Sequence, residues 1–331
     1  MPEKRYDIVG IGSAIVDVLS KTDEAFLADK GMVKGTMALI DSERAQLLYT
    51  SMGRTLNISG GSVANSMVGI ASLGGTPAFI GKVGNDTLGQ AFSHEIKAAG
   101  VDYYPGKANS TTLPTAVSFI LVTPDAQRTM NTYLGACTEL GPSDIDENVI
   151  RSSDVLYIEG YQWDTPQAKE AIRKACVTAK QAGNKVALSL SDPFVVDRHR
   201  EDLLQLIYDH VDLLFGNEEE VFQLYKTTDF DTAVRKLRQT NTLACMTLGA
   251  RGAIVVDTMA TATVPAMPVD KVIDTTGAGD LFAAGFLYGY TSGRDLVRCA
   301  KIGSMCAGEI ISHMGARPET PLRELLLKHG L

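Results

Sequence analysis

The residues with the clearest chemistry are Asp274-Thr275-Thr276-Gly277-Ala278-Gly279-Asp280, which run straight into the apolar stretch Leu281–Phe286. Two glycines and an alanine let a backbone approach a ligand without Cβ interference. A helix beginning just after them leaves its first N–H groups unpaired and its positive dipole end facing the ligand, which makes a ready anion site. Asp280 falls in that first turn, beside whatever anion those N–H groups hold. This pairing suits phosphoryl transfer to an alcohol: the backbone neutralises the phosphate and the carboxylate accepts the hydroxyl proton. The stretch also reads as a glycine turn before a closely packed helix, because small residues recur at 279, 283, 284, 285 and 289.

Other clusters carry two readings each. Gly10-Ile11-Gly12-Ser13-Ala14-Ile15 invites a dinucleotide reading, but Ile15 stands where the third glycine belongs and no acidic residue follows at the right distance. Asp17, held at a strand end near Gly12 and Ser13, can take two hydroxyls of a sugar, or is an aspartate of a solvated turn. Gly60-Gly61-Ser62-Val63-Ala64-Asn65 opens a helix; Ser62 or a glycine caps it, and the donor and acceptor of Asn65 match a polyol. Asn217 and Glu220 put an amide and a carboxylate on a helix start, as Mg²⁺ held through waters requires, or as a helix dipole favours. Thr247-Leu248-Gly249-Ala250-Arg251-Gly252 cradles a phosphate or nucleotide edge, or is a hairpin turn. Gly81–Gly89 reads as a structural turn, and Arg128 as either a phosphate-closing or a surface cation. The P-loop, the protein-kinase motifs and paired histidine metal ligands are all missing.

These residues need a scaffold that gathers strand ends. Short β-rich runs at 6–10, 78–83, 155–159, 185–190, 213–216, 243–247 and 252–257 alternate with helical patterns at 62–73, 87–99, 166–181, 200–210, 218–224, 231–239, 277–290 and 296–313. The alternation predicts an α/β fold, a three-layer sandwich around a mostly parallel sheet, with ligands beyond the carboxyl ends of its strands. Two segments break the pattern. Residues 20–50 and 111–136, with strands at 115–122 and 129–134 and a helix at 41–49, predict a small β-rich lid. Residues 1–19, 51–110 and 137–331 then form the large domain. With 45% apolar and 21% charged residues the chain is ordinary for a globular protein. A net charge of −8 argues against nucleic acid and anionic membrane as partners. Five cysteines without metal-ligand spacing, and no signal-like segment, lead to a cytoplasmic expectation.

The order of these motifs resembles the ribokinase-type carbohydrate kinases of the PfkB family over about residues 7–318, and Asp274–Asp280 resembles that family's C-terminal signature. Within the family, Phe26-Leu27, Val33-Lys34-Gly35-Thr36-Met37, Leu188–Phe194 and Phe215-Gly216-Asn217-Glu218 are most similar to the adenosine kinases. Two positions depart from that branch: Thr276 replaces an asparagine, and Tyr161-Gln162-Trp163 replaces paired phenylalanines near the expected purine. The resemblance implies a ribokinase-like fold and ATP-dependent phosphorylation of a nucleoside, foremost adenosine to AMP. A sugar or sugar-acid acceptor is the alternative, and a non-catalytic nucleoside or sugar sensor the more distant one. It implies Asp280 as base, with Gly277, Ala278 and Gly279 as phosphate donors and Arg128 closing from the lid. It implies Ser13, Asp17, Gly61, Ser62 and Asn65 on the sugar, and Tyr161 and Trp163 near the base. Asn217, Thr247, Gly249, Gly252 and Thr276 are implied at ATP, Asn217 and Glu220 at Mg²⁺ through water, and Asp274 at a monovalent cation such as K⁺ completed by the Ser312–Gly315 loop. A monomer or homodimer is expected.

Overall fold

The computed structural model describes residues 4–105, 112–125 and 127–331. In chain order its strands are β1 (Tyr6–Ile11), β2 (Ile15–Lys21), β3 (Met37–Leu39), β4 (Leu56–Gly60), β5 (Pro77–Ile80), β6 (Asp102–Tyr104), β7 (Ala116–Val122), β8 (Arg128–Tyr133), β9 (Ser153–Glu159), β10 (Lys185–Ser189), β11 (Leu213–Asn217), β12 (Leu243–Thr247), β13 (Ala253–Val256) and β14 (Thr261–Val264). They form two sheets, ordered β14-β13-β12-β11-β10-β9-β1-β5-β6 and β3-β8-β7-β2-β4.

The large sheet is parallel from β12 to β6, with β13 and β14 antiparallel at one edge. Its central strands are buried on both faces, as a sheet covered by crossover helices requires. In β9, Val155 and Tyr157 join one core layer while Leu156 and Ile158 join the other, as the period of two dictates. The helices Ser62–Leu73, Ala278–Thr291 and Leu296–Ile310 pack on one face. The helices Pro166–Gln181 and Pro193–His210 pack on the other. Among the described residues no helix is long and apolar enough to cross a membrane.

The second sheet gathers the strands expected of a lid, and it draws on more chain than 20–50 and 111–136. β2 begins in the first segment assigned to the large domain and crosses its boundary at 19/20, and β4 lies within the second such segment, yet both pair in this sheet. Gly12, Ser13 and Ala14 alone join β1 to β2, so the chain steps directly from one sheet to the other. The expected boundary at 110/111 lies outside the described residues. Most remaining elements match their expected spans within a few residues. The helix expected at 200–210 follows a kink at His199 (φ −120°, ψ 20°), and a further helical segment precedes it from Pro193, where the Asp192 side chain accepts from Phe194 and Val195 N–H as its cap. The helix expected to reach 313 stops at Ile310.

Candidate active site

A cleft of about 840 Å³ opens between the sheets, beyond the carboxyl ends of β1, β9, β10, β11 and β12. The anion loop forms one end. Gly277 caps its helix at φ 77°, a left-handed geometry that favours glycine, and a Cβ there would meet Ala316 at 2.9 Å. Leu281 N–H donates to Gly277 O at 2.8 Å, so the N–H groups of Gly279 and Asp280 precede the helix ladder. A Cβ on Gly279 would meet nothing within 4 Å; the loop is open to the cleft there. Ala278 differs from expectation in part: its N–H donates to Thr275 O at 3.3 Å within the turn.

Asp280 is half-buried, and both carboxylate oxygens are held. Ser62 Oγ donates to Oδ1 at 2.6 Å and Asn65 Nδ2 to Oδ2 at 2.9 Å. Burial pushes its carboxyl above the usual range, and the two hydrogen bonds pull it back. Ser62 and Asn65 thus orient the carboxylate, the two sitting three apart on one face of the helix Ser62–Leu73. Asn65 is 4% exposed, and its Oδ1 has no partner within the protein. That buried acceptor suits a ligand hydroxyl.

Asp17 lies mid-strand on β2, opposite Ile58 and Ser118, and lines the cleft. Burial pushes it up to about 7, with Arg317 opposing and Asp280 and Asp274 adding to the rise. A Cβ on Gly60 would meet Asp17 Oδ2 at 2.5 Å, so the first glycine of the pair makes room for this carboxylate. The second, Gly61, turns at φ 98°, where a Cβ would meet Ser13 O at 2.1 Å. Ser13 donates from N and Oγ to Glu159 Oε1, both at 2.8 Å.

Glu159 was not anticipated. It is fully buried at the end of β9 and also accepts from Val63 N–H at 3.0 Å and Gln162 Nε2 at 3.2 Å. Its signal in the sequence is an acid ending the apolar run Val155–Ile158 where a sheet strand delivers its residues to the cleft.

Arg128, on β8, pairs with Asp274 at 2.7 Å and donates to Thr275 Oγ1 at 3.1 Å. Asp274 also accepts from Thr276 N at 2.8 Å, Thr276 Oγ1 at 2.7 Å and Gly315 N at 3.0 Å. Both carboxylate oxygens of Asp274, the residue expected at a monovalent cation, thus accept from the arginine of β8 and from turn donors. Asn217 and Glu220 form a reciprocal cap. Glu220 N donates to Asn217 Oδ1 at 2.9 Å, and Asn217 N and Nδ2 donate to Glu220 at 2.9 and 2.8 Å. Both line the cleft, and burial pushes Glu220 up to about 7. A desolvated carboxylate of this kind fits a neighbouring cation. Among the described residues no group of three or more His, Cys, Asp or Glu is arranged around a metal position.

Thr247, Gly249, Thr276 and Tyr161 line the cleft, and Tyr161 donates to Ser191 O at 3.2 Å. Two expected residues do not. Trp163 is 1% exposed and packs in the core layer with Ile172 and Val196, because the short turn Gly160–Asp164 points residues 161 and 163 in different directions. Gly252 closes the turn from β12 to β13 at φ 94°, where a Cβ would meet Val264 O at 2.1 Å, so its role is the hairpin.

Residues 40–323 match the pfkB family carbohydrate kinase profile. The chain belongs to this family. The family makes it a phosphotransferase with an alcohol group as acceptor. The chain is similar over its full length to two solved structures. One is the adenosine kinase of Sinorhizobium meliloti, 46% identical over 98% of this chain and 99% of that one, with TM-score 0.91. The other is a probable sugar kinase of Rhizobium etli CFN 42, 45% identical over 99% of both chains, with TM-score 0.93. Adenosine kinase 1 of Arabidopsis thaliana is 26% identical over 95% of this chain and 96% of its own length.

Proposed function

We propose that this kinase transfers the γ-phosphoryl of ATP to the 5′-hydroxyl of adenosine. The observation that carries this reading is the full-length similarity to the Sinorhizobium meliloti adenosine kinase. The cleft supports it: Ile15, Met37, Leu39, Ile120 and Met130 give the lid side an apolar surface for a flat base, opposite the polar set of Asp17, Ser62 and Asn65 for a ribose.

Asp280 takes the proton of the primary hydroxyl. In a loose transition state positioning outweighs basicity, and Ser62 and Asn65 supply it. Asn65 Oδ1 and Asp17 accept ribose hydroxyls. The N–H groups opening the helix Ala278–Thr291 hold the transferred phosphate. Arg128 moves from Asp274 to phosphate as substrates fill the cleft. Thr247, Gly249 and Thr276 border ATP, and Asn217 and Glu220 hold waters of Mg²⁺, which when bound neutralises the phosphates. The enzyme works in the cytoplasm as a monomer or homodimer.

The similarity to the Rhizobium etli probable sugar kinase favours a free sugar as the second reading. ADP release with ATP–Mg²⁺ against adenosine, other nucleosides, ribose, fructose and ketodeoxygluconate separates the two. Turnover on a sugar and on no nucleoside overturns adenosine.

A further inference from the structure

The loop after the helix Leu296–Ile310 reaches both the anion loop and the Gly60–Ser62 turn through residues outside the cleft lining. Gly315 N–H holds Asp274, and Ala316 packs on Gly277. Arg317 reaches furthest. Its Nε donates to Ser59 O on lid strand β4 at 2.7 Å, and its Nη1 to Ala64 O on the helix Ser62–Leu73 at 2.9 Å. Its two carbonyls therefore bracket Gly60-Gly61-Ser62, the turn that admits Asp17 and carries one holder of Asp280. Glu95 clamps the same strand end from the other side, accepting from Ser59 N–H at 3.1 Å and from its hydroxyl. Arg317 Nη2 is buried with no partner in the protein.

We propose that Arg317 is a positioning residue for the acceptor site, fixing the Gly60–Ser62 turn between lid and large domain so that Asp17 and Asp280 meet the acceptor in register. A planar guanidinium is the group that can donate along two directions to two carbonyls while its charge stays close to buried carboxylates. The charges around it are Asp17 on β2, Asp280 on the helix Ala278–Thr291 and Glu95 on the helix Thr87–Ala98; Asp274 also faces Asp17. Arg317 is the cation opposing the rise of Asp17, so its loss pushes that carboxyl further up.

This rests on the reading of Asp17 as an acceptor ligand, and the test uses whichever alcohol the wild-type enzyme phosphorylates. Absence of adenosine turnover by wild type then counts against the acceptor assignment alone. Arg317→Met, checked for folding by circular dichroism, is expected to lower acceptor kcat/KM on the order of 100-fold, chiefly through KM. The acid limb of that profile moves to higher pH, and the KM for ATP stays near wild type. Arg317→Lys keeps the charge and loses the fork, so it restores the acid limb but not the acceptor KM. A folded Arg317→Met with wild-type acceptor KM and acid limb overturns the proposal. If that variant does not fold, a wild-type acceptor KM in Arg317→Lys overturns it.

Discussion

Arg128 Nη1 on the lid stands 2.7 Å from Asp274 Oδ1 at the foot of the anion loop, with 20% and 2% of the two side chains exposed. The pair joins the five-stranded sheet to the loop that opens the helix Ala278–Thr291. A partly buried pair of this kind couples its members, so the cost of losing both differs from the sum of the single losses.

Arg128→Ala is therefore expected to reduce kcat/KM for ATP, about 10- to 100-fold, by removing both the latch and the phosphate cation. Asp274→Asn keeps the turn bonds from Gly315 and Thr276 in part and loses the latch. A double-mutant cycle on kcat/KM should return a coupling of about 0.5–3 kcal/mol. Strict additivity means the latch does not contribute to turnover.

Asp280→Asn keeps the size of the side chain and loses the proton acceptor. kcat is expected to fall about 10²- to 10⁴-fold with ATP affinity retained, as read by nucleotide titration. Because burial raises this carboxyl, wild-type kcat falls as pH drops through its titration. A variant with near-normal kcat removes Asp280 from the role of base.

The large sheet was legible because its central strands are buried on both faces and read as apolar runs punctuated by helices, whereas the short edge strands β6 and β14 are partly exposed and carry no such run. The lid was half legible: β7 and β8 flank a Pro124-Asp125 turn, whereas β2 is interrupted by Asp17 and merges with the glycines before it, and β4 is only Leu56–Gly60. Local residue types singled out Asp280, Asn65 and Glu220, all of which line the cleft. They could not show that Asn65 also holds Asp280, or that Arg317 closes over residues more than 250 positions earlier in the chain. Those are contacts between distant segments, and no periodicity carries them.

Trp163 is a case where sequence proximity to a site misled. Its side chain is in the core, so saturating acceptor should leave its fluorescence nearly unchanged, while Trp163→Ala should cost about 3–5 kcal/mol of stability. A large acceptor-induced emission change, or a variant of wild-type stability with a raised acceptor KM, would return this residue to the cleft.

Asp17 ties function to stability through pH. Its carboxyl is raised from 3.8 to about 7 by burial, so between those values the folded protein holds a proton that the unfolded chain has released. The native state then binds more protons than the unfolded one, and stability falls as pH rises across that window. Glu220, raised from 4.5 to about 7, adds a slope of the same sign. Asp17→Asn removes one of these titrating carboxylates. It should unfold at a higher temperature than wild type at pH 8, differ little at pH 4, and show a shallower decline between. The same substitution should raise the acceptor KM, since an amide accepts fewer hydroxyl protons than a carboxylate. Thermal unfolding from pH 4 to 8, run beside acceptor kinetics, decides the matter: an unchanged pH slope means that Asp17 is not the buried carboxylate described, and a stabilised variant with normal KM means that its charge serves no acceptor.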